Sequence, residues 1–245
     1  MIVLSFDLET TGLDKQKDRI AEIGLALYST GQRRIVESTC FFVDTQGPDM
    51  TEEVTSITGI YQNAREKFGY SEETALDTFC EYYNKAEATI GHNIIRFDFP
   101  IIYDAMHRLG YDRIDDKLVI DTMSDIPGVK GEQLITMCAK AGFLYDAHSA
   151  LDDAKAVLKL TEKYPPFENI IERAKSPLVV LLSKQDNTTA NNKVARKAGF
   201  RWNGDFKIWW QAAKEMDVEK LASTYPFAME YAPKDRYPLD VLRES

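Results

Sequence analysis

Apolar positions in the first third of the chain fall in short, β-branched runs. Residues 2–6 (IVLSF) form the first, closed by a turn at Thr11-Gly12. Residues 19–28 (RIAEIGLALY) and 34–43 read as the next two strands. The period then changes. Residues 51–69 read as short helical pieces, and 71–85 as an amphipathic helix capped by Ser71. Residues 88–92 predict a short strand, 99–109 a helix closed by Gly110, and 118–121 another strand. Two helices follow, at 132–141 ending at Gly142 and at 149–163 stopped by Pro165-Pro166. Three strands and then alternating helices and strands predict an α/β layered domain, a mixed sheet flanked by helices.

Beyond the proline pair the pattern weakens to Pro177 and then resumes as a strand at 178–182 and a helix at 188–198 ended by Gly199. Asn203-Gly204 predicts a two-residue hairpin turn within 200–210. A short helix at 218–223 and a strand at 227–231 complete a small α+β appendage. The expected organisation is therefore a main domain at 1–165 and a module at 177–235. A length of 245 residues accommodates one full core and one core near the lower limit for self-support.

Composition changes this picture little: 44% hydrophobic and 28% charged is ordinary for a globular protein. No apolar run reaches the length of a membrane span. The start, MIVLSFDLETTG, lacks the basic region and cleavage site of a secretory signal. The three cysteines, Cys40, Cys80 and Cys138, lack zinc-type spacing. A cytoplasmic location is the expectation. Charge matters more, because a net −9 opposes binding to a polyanion. It is unevenly spread: residues 174–233 hold nine Lys/Arg against six Asp/Glu, whereas the acidic excess lies in the first 173. Carboxylates that hold divalent cations reverse the local sign, so an acidic domain can still act on nucleic acid.

Three stretches carry candidate chemistry. In FDLETTG, strand alternation points Asp7 and Glu9 to one face and Phe6 and Leu8 to the other. Two adjacent carboxylates repel each other, and Mg²⁺ or Mn²⁺ favours oxygen ligands of this kind. Alone, the pair also fits a solvated strand mouth. Asp98, in HNIIRFDFP, lines up with the apolar stripe Ile101, Ile102, Ala105 and Leu109, where an ionised group needs a partner. It also fits a helix cap, with Pro100 in the first turn. In DAHSALDDAKAVLKL, Ser149 and Asp152 resemble a capping box. The stripe Ala154, Val157, Leu158 and Thr161 leaves Asp153 at the core edge and Asp152 in water. His148 precedes that helix, where an imidazole can approach whatever Asp153 holds.

Together, these stretches resemble the DEDDh 3′→5′ exonuclease family, which includes epsilon-type proofreading subunits, RNase T and oligoribonuclease. D-x-E-T-T-G is matched by Asp7, Glu9, Thr10, Thr11 and Gly12. H-N-x-x-x-F-D is matched by His92, Asn93, Phe97 and Asp98, and H-x-A-x-D-D-A by His148, Ala150, Asp152, Asp153 and Ala154. The resemblance runs from Ile2 to about Lys163. Thr58 stands where the family's I-H-G-I segment has histidine. Ser149, not tyrosine, stands four residues before Asp153, as in the histidine subclass.

The resemblance implies an RNase H-like fold and two Mg²⁺ or Mn²⁺ ions held by Asp7, Glu9, Asp98 and Asp153. It implies His148 as general base. It further implies contacts to the terminal nucleotide from Thr10, Thr11, Gly12 and the apolar wedge Leu13, and from Asn93 and Phe97. The expected reaction is release of nucleoside monophosphates from a single-stranded or frayed 3′ end, with DNA the expected nucleic acid. A polymerase proofreading subunit and an RNA-trimming enzyme stay open. A binding module that has lost catalysis should lack an acidic ligand or the histidine, and this chain lacks neither.

In the appendage, Lys193, Arg196, Lys197, Arg201 and Lys207 interleave with Phe200, Trp202, Phe206, Trp209 and Trp210. Such interleaving suits single strands. A protein-docking surface, a polymerase among the candidates, and a plain aromatic core fit it as well. Alternation keeps the three tryptophans from sharing one face, so at least one is expected off the core side.

Overall fold

The computed structural model describes residues 1–14, 17–45, 47–126, 132–164, 166–183, 188–204, 207–224 and 229–233. The chain divides into two compact units, Met1–Ala174 and Lys175–Ser245.

The first unit opens with β1 (Ile2–Thr10), β2 (Ile20–Ser29) and β3 (Arg34–Asp44), followed by α1 (Glu52–Thr58) and α2 (Gln62–Phe68). Then come β4 (Tyr70–Ser71), α3 (Glu72–Lys85), β5 (Ala88–Gly91), α4 (Asp98–Arg108), β6 (Leu118–Asp121) and α5 (Thr122–Asp125). It closes with α6 (Leu134–Lys140), α7 (Ala150–Thr161) and α8 (Phe167–Lys175). The six strands lie in the order β4-β3-β2-β1-β5-β6. β1 runs antiparallel to β2 and parallel to β5, and β5 is parallel to β6, so the sheet is mixed, as the element pattern predicts.

Alternation along β1 feeds two separate cores. Leu4, Phe6 and Leu8 pack with Phe79 and Tyr83 of α3 and Phe99 and Ile102 of α4. Val3 lies on the other side with Met137 of α6 and Val157 and Leu160 of α7. Covering both faces explains why β2 is buried along its whole length. α3 begins at Ser71, whose hydroxyl accepts the Thr74 N–H. Three features escape the sequence reading, the first being α5, a single turn too short for periodicity to mark. β4 is only two residues long, and the weak stretch after the proline pair folds as α8, whose Ile170 is buried in the α7-side core. Its stripe of Phe167, Ile170, Ile171 and Ala174 is too short to stand out beside two prolines. Pro165 lies outside the described residues.

The second unit contains β7 (Leu178–Ser183), α9 (Thr189–Lys197), β8 (Arg201–Asn203), β9 (Ile208–Lys214), α10 (Val218–Thr224) and β10 (Met229–Pro233). These strands form an antiparallel sheet in the order β10-β7-β9-β8. The expected two-residue turn at Asn203-Gly204 does not form. Asn203 pairs with Ile208, which leaves a four-residue connection and sets Trp202 directly opposite Trp209. A two-residue turn would pair Trp202 with an acid, Asp205; the aromatic cross-strand pair decides the register instead. Trp210 points to the opposite face, yet it too is buried, against Val180 and Leu182. The exposed tryptophan is Trp202, because β8 is the edge strand. Phe206 and residues 227–228 of the expected last strand lie outside the described residues. Among the described residues no helix is long and apolar enough to cross a membrane.

Candidate metal centre

β1 continues past its apolar half and delivers Asp7 and Glu9 to the α7 side of the sheet. Asp7 stands opposite Gly24 of β2, and Glu9 opposite Glu22, just before an irregularity in the ladder at Glu9/Thr10. Asp153, in the first turn of α7, meets them: one oxygen from each of Asp7, Glu9 and Asp153 lies within 4.8 Å of the others. Asp98, the first residue of α4, is 3% exposed and accepts the Leu8 N–H through Oδ1 at 3.0 Å. Its carboxylate is therefore tied to the strand that carries Asp7 and Glu9. Phe97 occupies the helix-capping position and makes no side-chain cap bond, so the capping reading of Asp98 does not hold.

The electrostatics follow from crowding. Burial raises the Asp7 carboxyl well above its usual range, and Asp98, Asp153 and Glu9 push it further. Glu9 is raised to about 8 by burial and then by Asp153, Glu22 and Asp98. Burial lifts Asp98 to about 7, although the Leu8 N–H pulls the other way. Asp153 is raised by burial against the donors that surround it. Without cations this crowding favours the protonated carboxyls, and a divalent ion would take the place of those protons. An all-oxygen donor set of this density fits hard dications.

α7 is anchored at its start by the loop before it and by β2. Asp153 accepts the Tyr145 hydroxyl at 2.6 Å and the His148 N–H at 2.8 Å. Ser149 makes no side-chain cap bond, so the expected capping box is absent. The carboxylate of Glu22 instead accepts the Ala150 N–H at 2.9 Å, bridging β2 to the helix. Gly24 permits that approach, since a Cβ there would lie 2.2 Å from the Leu151 nitrogen. Asp152 stays on the wet side, 3.7 Å from Lys155. His148 adopts a φ of +71° and is exposed, beside the cluster and outside its set of mutually close oxygens.

The remaining expected contacts line the end of β1 and the β5–α4 connection. The Thr10 hydroxyl donates to the Gly12 carbonyl at 2.6 Å, and that of Thr11 to Asp18 at 2.9 Å. A Cβ at Gly12 would strike the Asp18 carboxylate at 2.5 Å, while Leu13 is 84% exposed. Asn93 has a φ of +63° and donates its N–H to Asp121 at 2.7 Å, and the Phe97 N–H returns to the Asn93 carbonyl at 3.0 Å. Phe97 packs beside the α4 core.

Sequence reasoning misses Glu22, Tyr145 and Asp121. Glu22 leaves one signal, a lone acid inside an otherwise apolar strand, IAEIGLALY. Asp121 also leaves one, an acid ending a short apolar run. Tyr145 leaves none.

Residues 4–161 match the family model RNase_T, described as Exonuclease. The PolC-type DNA polymerase III of Caldanaerobacter subterraneus is 30% identical over 169 residues, 64% of this chain and 11% of the polymerase. That of Pediococcus pentosaceus is 29% identical over 149 residues, 58% of this chain and 10% of the polymerase. E. coli Exonuclease I in complex with a 5cy-dT13 oligonucleotide superimposes with a TM-score of 0.58 at 18% identity, over 74% of this chain and 48% of that one. The zinc-bound form of an ExoI–ssDNA complex gives 0.55 at 17% identity, over 75% and 48%. This chain thus spans about a tenth of the polymerases' length and about half of Exonuclease I. The likeness to Exonuclease I establishes the shared RNase H-like fold.

Proposed function

Because the chain belongs to the RNase T exonuclease family, we propose that it is a DEDDh-type 3′→5′ exonuclease. It releases nucleoside monophosphates from the 3′ end of a single-stranded or frayed strand, with DNA as the favoured substrate. The observation that carries this reading is the convergence of Asp7, Glu9 and Asp153 within 4.8 Å, with Asp98 bonded to the same strand.

Asp7, Glu9, Asp98 and Asp153 would hold two ions, Mg²⁺ or Mn²⁺. When bound, such ions would lower the pKa of a water and offset negative charge that develops in phosphodiester hydrolysis. His148 takes the proton of the attacking water, since its exposed imidazole stands on a loop pinned to Asp153. Tyr145 and the His148 N–H fix the Asp153 oxygens, so that carboxylate needs little reorganisation when it works. Thr10, Thr11 and Gly12 present a small-residue edge to the terminal sugar, and the exposed Leu13 wedges beside the last base. Asn93 and Phe97 border the same end from the α4 side. The Exonuclease I complex with ssDNA supports a single strand as substrate. The PolC-type relatives favour a second reading, proofreading beside a polymerase, which co-purification with a polymerase would support.

Matched single-stranded DNA and RNA carrying either a 3′ or a 5′ label test the proposal. In Mg²⁺ or Mn²⁺ the 3′ label is expected to leave at once as a mononucleotide, faster from DNA, while the 5′-labelled strand shortens as a ladder. Internal fragments, or release of the 5′ label first, would overturn it.

A further inference from the structure

The second unit carries an exposed aromatic ring on the edge strand of its sheet and a helix rich in cations. Trp202 and Trp209 face each other across β8 and β9 with ring centroids 5.6 Å apart, yet Trp209 is 5% exposed and Trp202 is 41% exposed. Trp209 is held in place: its indole N–H donates to Asn192 at 2.8 Å, and the Arg196 guanidinium lies 5.9 Å from its ring. The outer indole therefore rests against a fixed inner one, on the edge strand of the sheet. Lys193, Arg196 and Lys197 recur on α9 at the spacing that places side chains on one helical face, and all three are exposed. Neither α9 nor β8 contains an acidic residue.

The positions of Arg196 and Lys197 are partly explained by the helix dipole, which favours cations in the last turn. That explanation does not reach Lys193 or the exposed ring of Trp202. An exposed indole backed by a fixed one, whose ring faces a guanidinium of a helix that also carries Lys193 and Lys197, offers a base a stacking face and its phosphates cations.

We infer that the surface formed by Trp202, Lys193, Arg196 and Lys197 binds single-stranded nucleic acid. This rests on the exonuclease reading and adds to it a second place where the substrate strand is held. The basic excess of residues 174–233, joined to an otherwise acidic chain, is the charge complement such a partner requires. Tethering the surface to the first unit raises the local concentration of strand at the 3′-end site.

The test uses the full chain with a labelled oligothymidylate in chelator, where binding is read without turnover. Trp202→Ala should weaken binding about 10-fold and leave the salt dependence unchanged. The double variant K193E/K197E should weaken it further and flatten the plot of log affinity against log salt by roughly 0.7 for each phosphate that is no longer neutralised. Both should hydrolyse a p-nitrophenyl ester of thymidine monophosphate at the wild-type rate, because that small substrate needs only the first unit. Wild-type strand affinity in both variants, with unchanged melting temperatures, would overturn the surface and would also be the result if it docks a protein. Loss of ester hydrolysis in wild type would strike the exonuclease reading instead, leaving the binding result interpretable.

Discussion

Asp153 accepts the backbone N–H of His148 at 2.8 Å, so the aspartate that joins the acid cluster also holds the loop bearing the imidazole. His148 has a φ of +71° and is exposed, while its backbone N–H is directed to Asp153. Position and proton transfer are thereby separated: the backbone bond survives any substitution of the ring. His148→Ala should lower turnover roughly 10²–10⁴-fold, as expected for loss of a general base. The Mn²⁺ concentration giving half-maximal activity should stay within about threefold. An equal loss in metal affinity, measured by titration calorimetry, would make the histidine structural.

Burial raises the Asp7 carboxyl well above its usual range, and Asp98, Asp153, Glu9 and Glu22 raise it further. Asp7→Asn should abolish mononucleotide release while keeping the circular-dichroism spectrum. In chelator the variant should melt at or above the wild-type temperature, since one buried repulsion is gone. Residual activity above about 1% of wild type would contradict its place among the metal ligands.

The raised carboxyls make metal-free stability fall as pH rises. Glu9 keeps its proton up to about 8, whereas an unfolded chain releases it near 4.5. Between those values the folded state binds more protons than the unfolded one, so alkalinity favours unfolding, at most about 1.4 kcal/mol per pH unit for one fully shifted group. Partial exposure of Glu9 reduces that figure. In chelator the melting temperature should drop several degrees from pH 6 to pH 8.5, and Mn²⁺ should reverse the trend. A metal-free melting temperature that climbs over this interval would refute the assignment.

Gly24 sits opposite Asp7 and against the start of α7. A methyl group there would meet backbone at 2.2–2.5 Å, so Gly24→Ala must push the strand and helix apart. Its expected cost is about 1–3 kcal/mol of stability, read in denaturant unfolding, together with a loss of activity larger than that destabilisation explains. Normal stability would show that the contact relaxes freely.

Tyr145→Phe removes the hydroxyl that donates to Asp153 without changing the ring. Asp153 would lose one of its two named anchors, and activity should fall about 10-fold with the fold intact. Unchanged activity across a range of Mn²⁺ concentrations would show that the His148 N–H suffices.

Local periodicity is enough to place most elements and the facing of the acidic side chains. Strand alternation alone puts Asp7 and Glu9 on one face with Phe6 and Leu8 on the other, and helical spacing alone puts Asp153 inward and Asp152 outward. These are consequences of backbone geometry over a few residues, and no tertiary contact is needed to derive them. Three things require the folded chain. Asp98 turns from a helix cap into a partner of the Leu8 N–H, 90 residues away. Glu22 and Tyr145 join the site by bonding to Ala150 and Asp153. The β8–β9 register follows the pairing of Trp202 with Trp209 rather than the Asn203-Gly204 turn signal. In each case a bond between distant or competing partners outweighs the local preference, and only packing decides which partners meet.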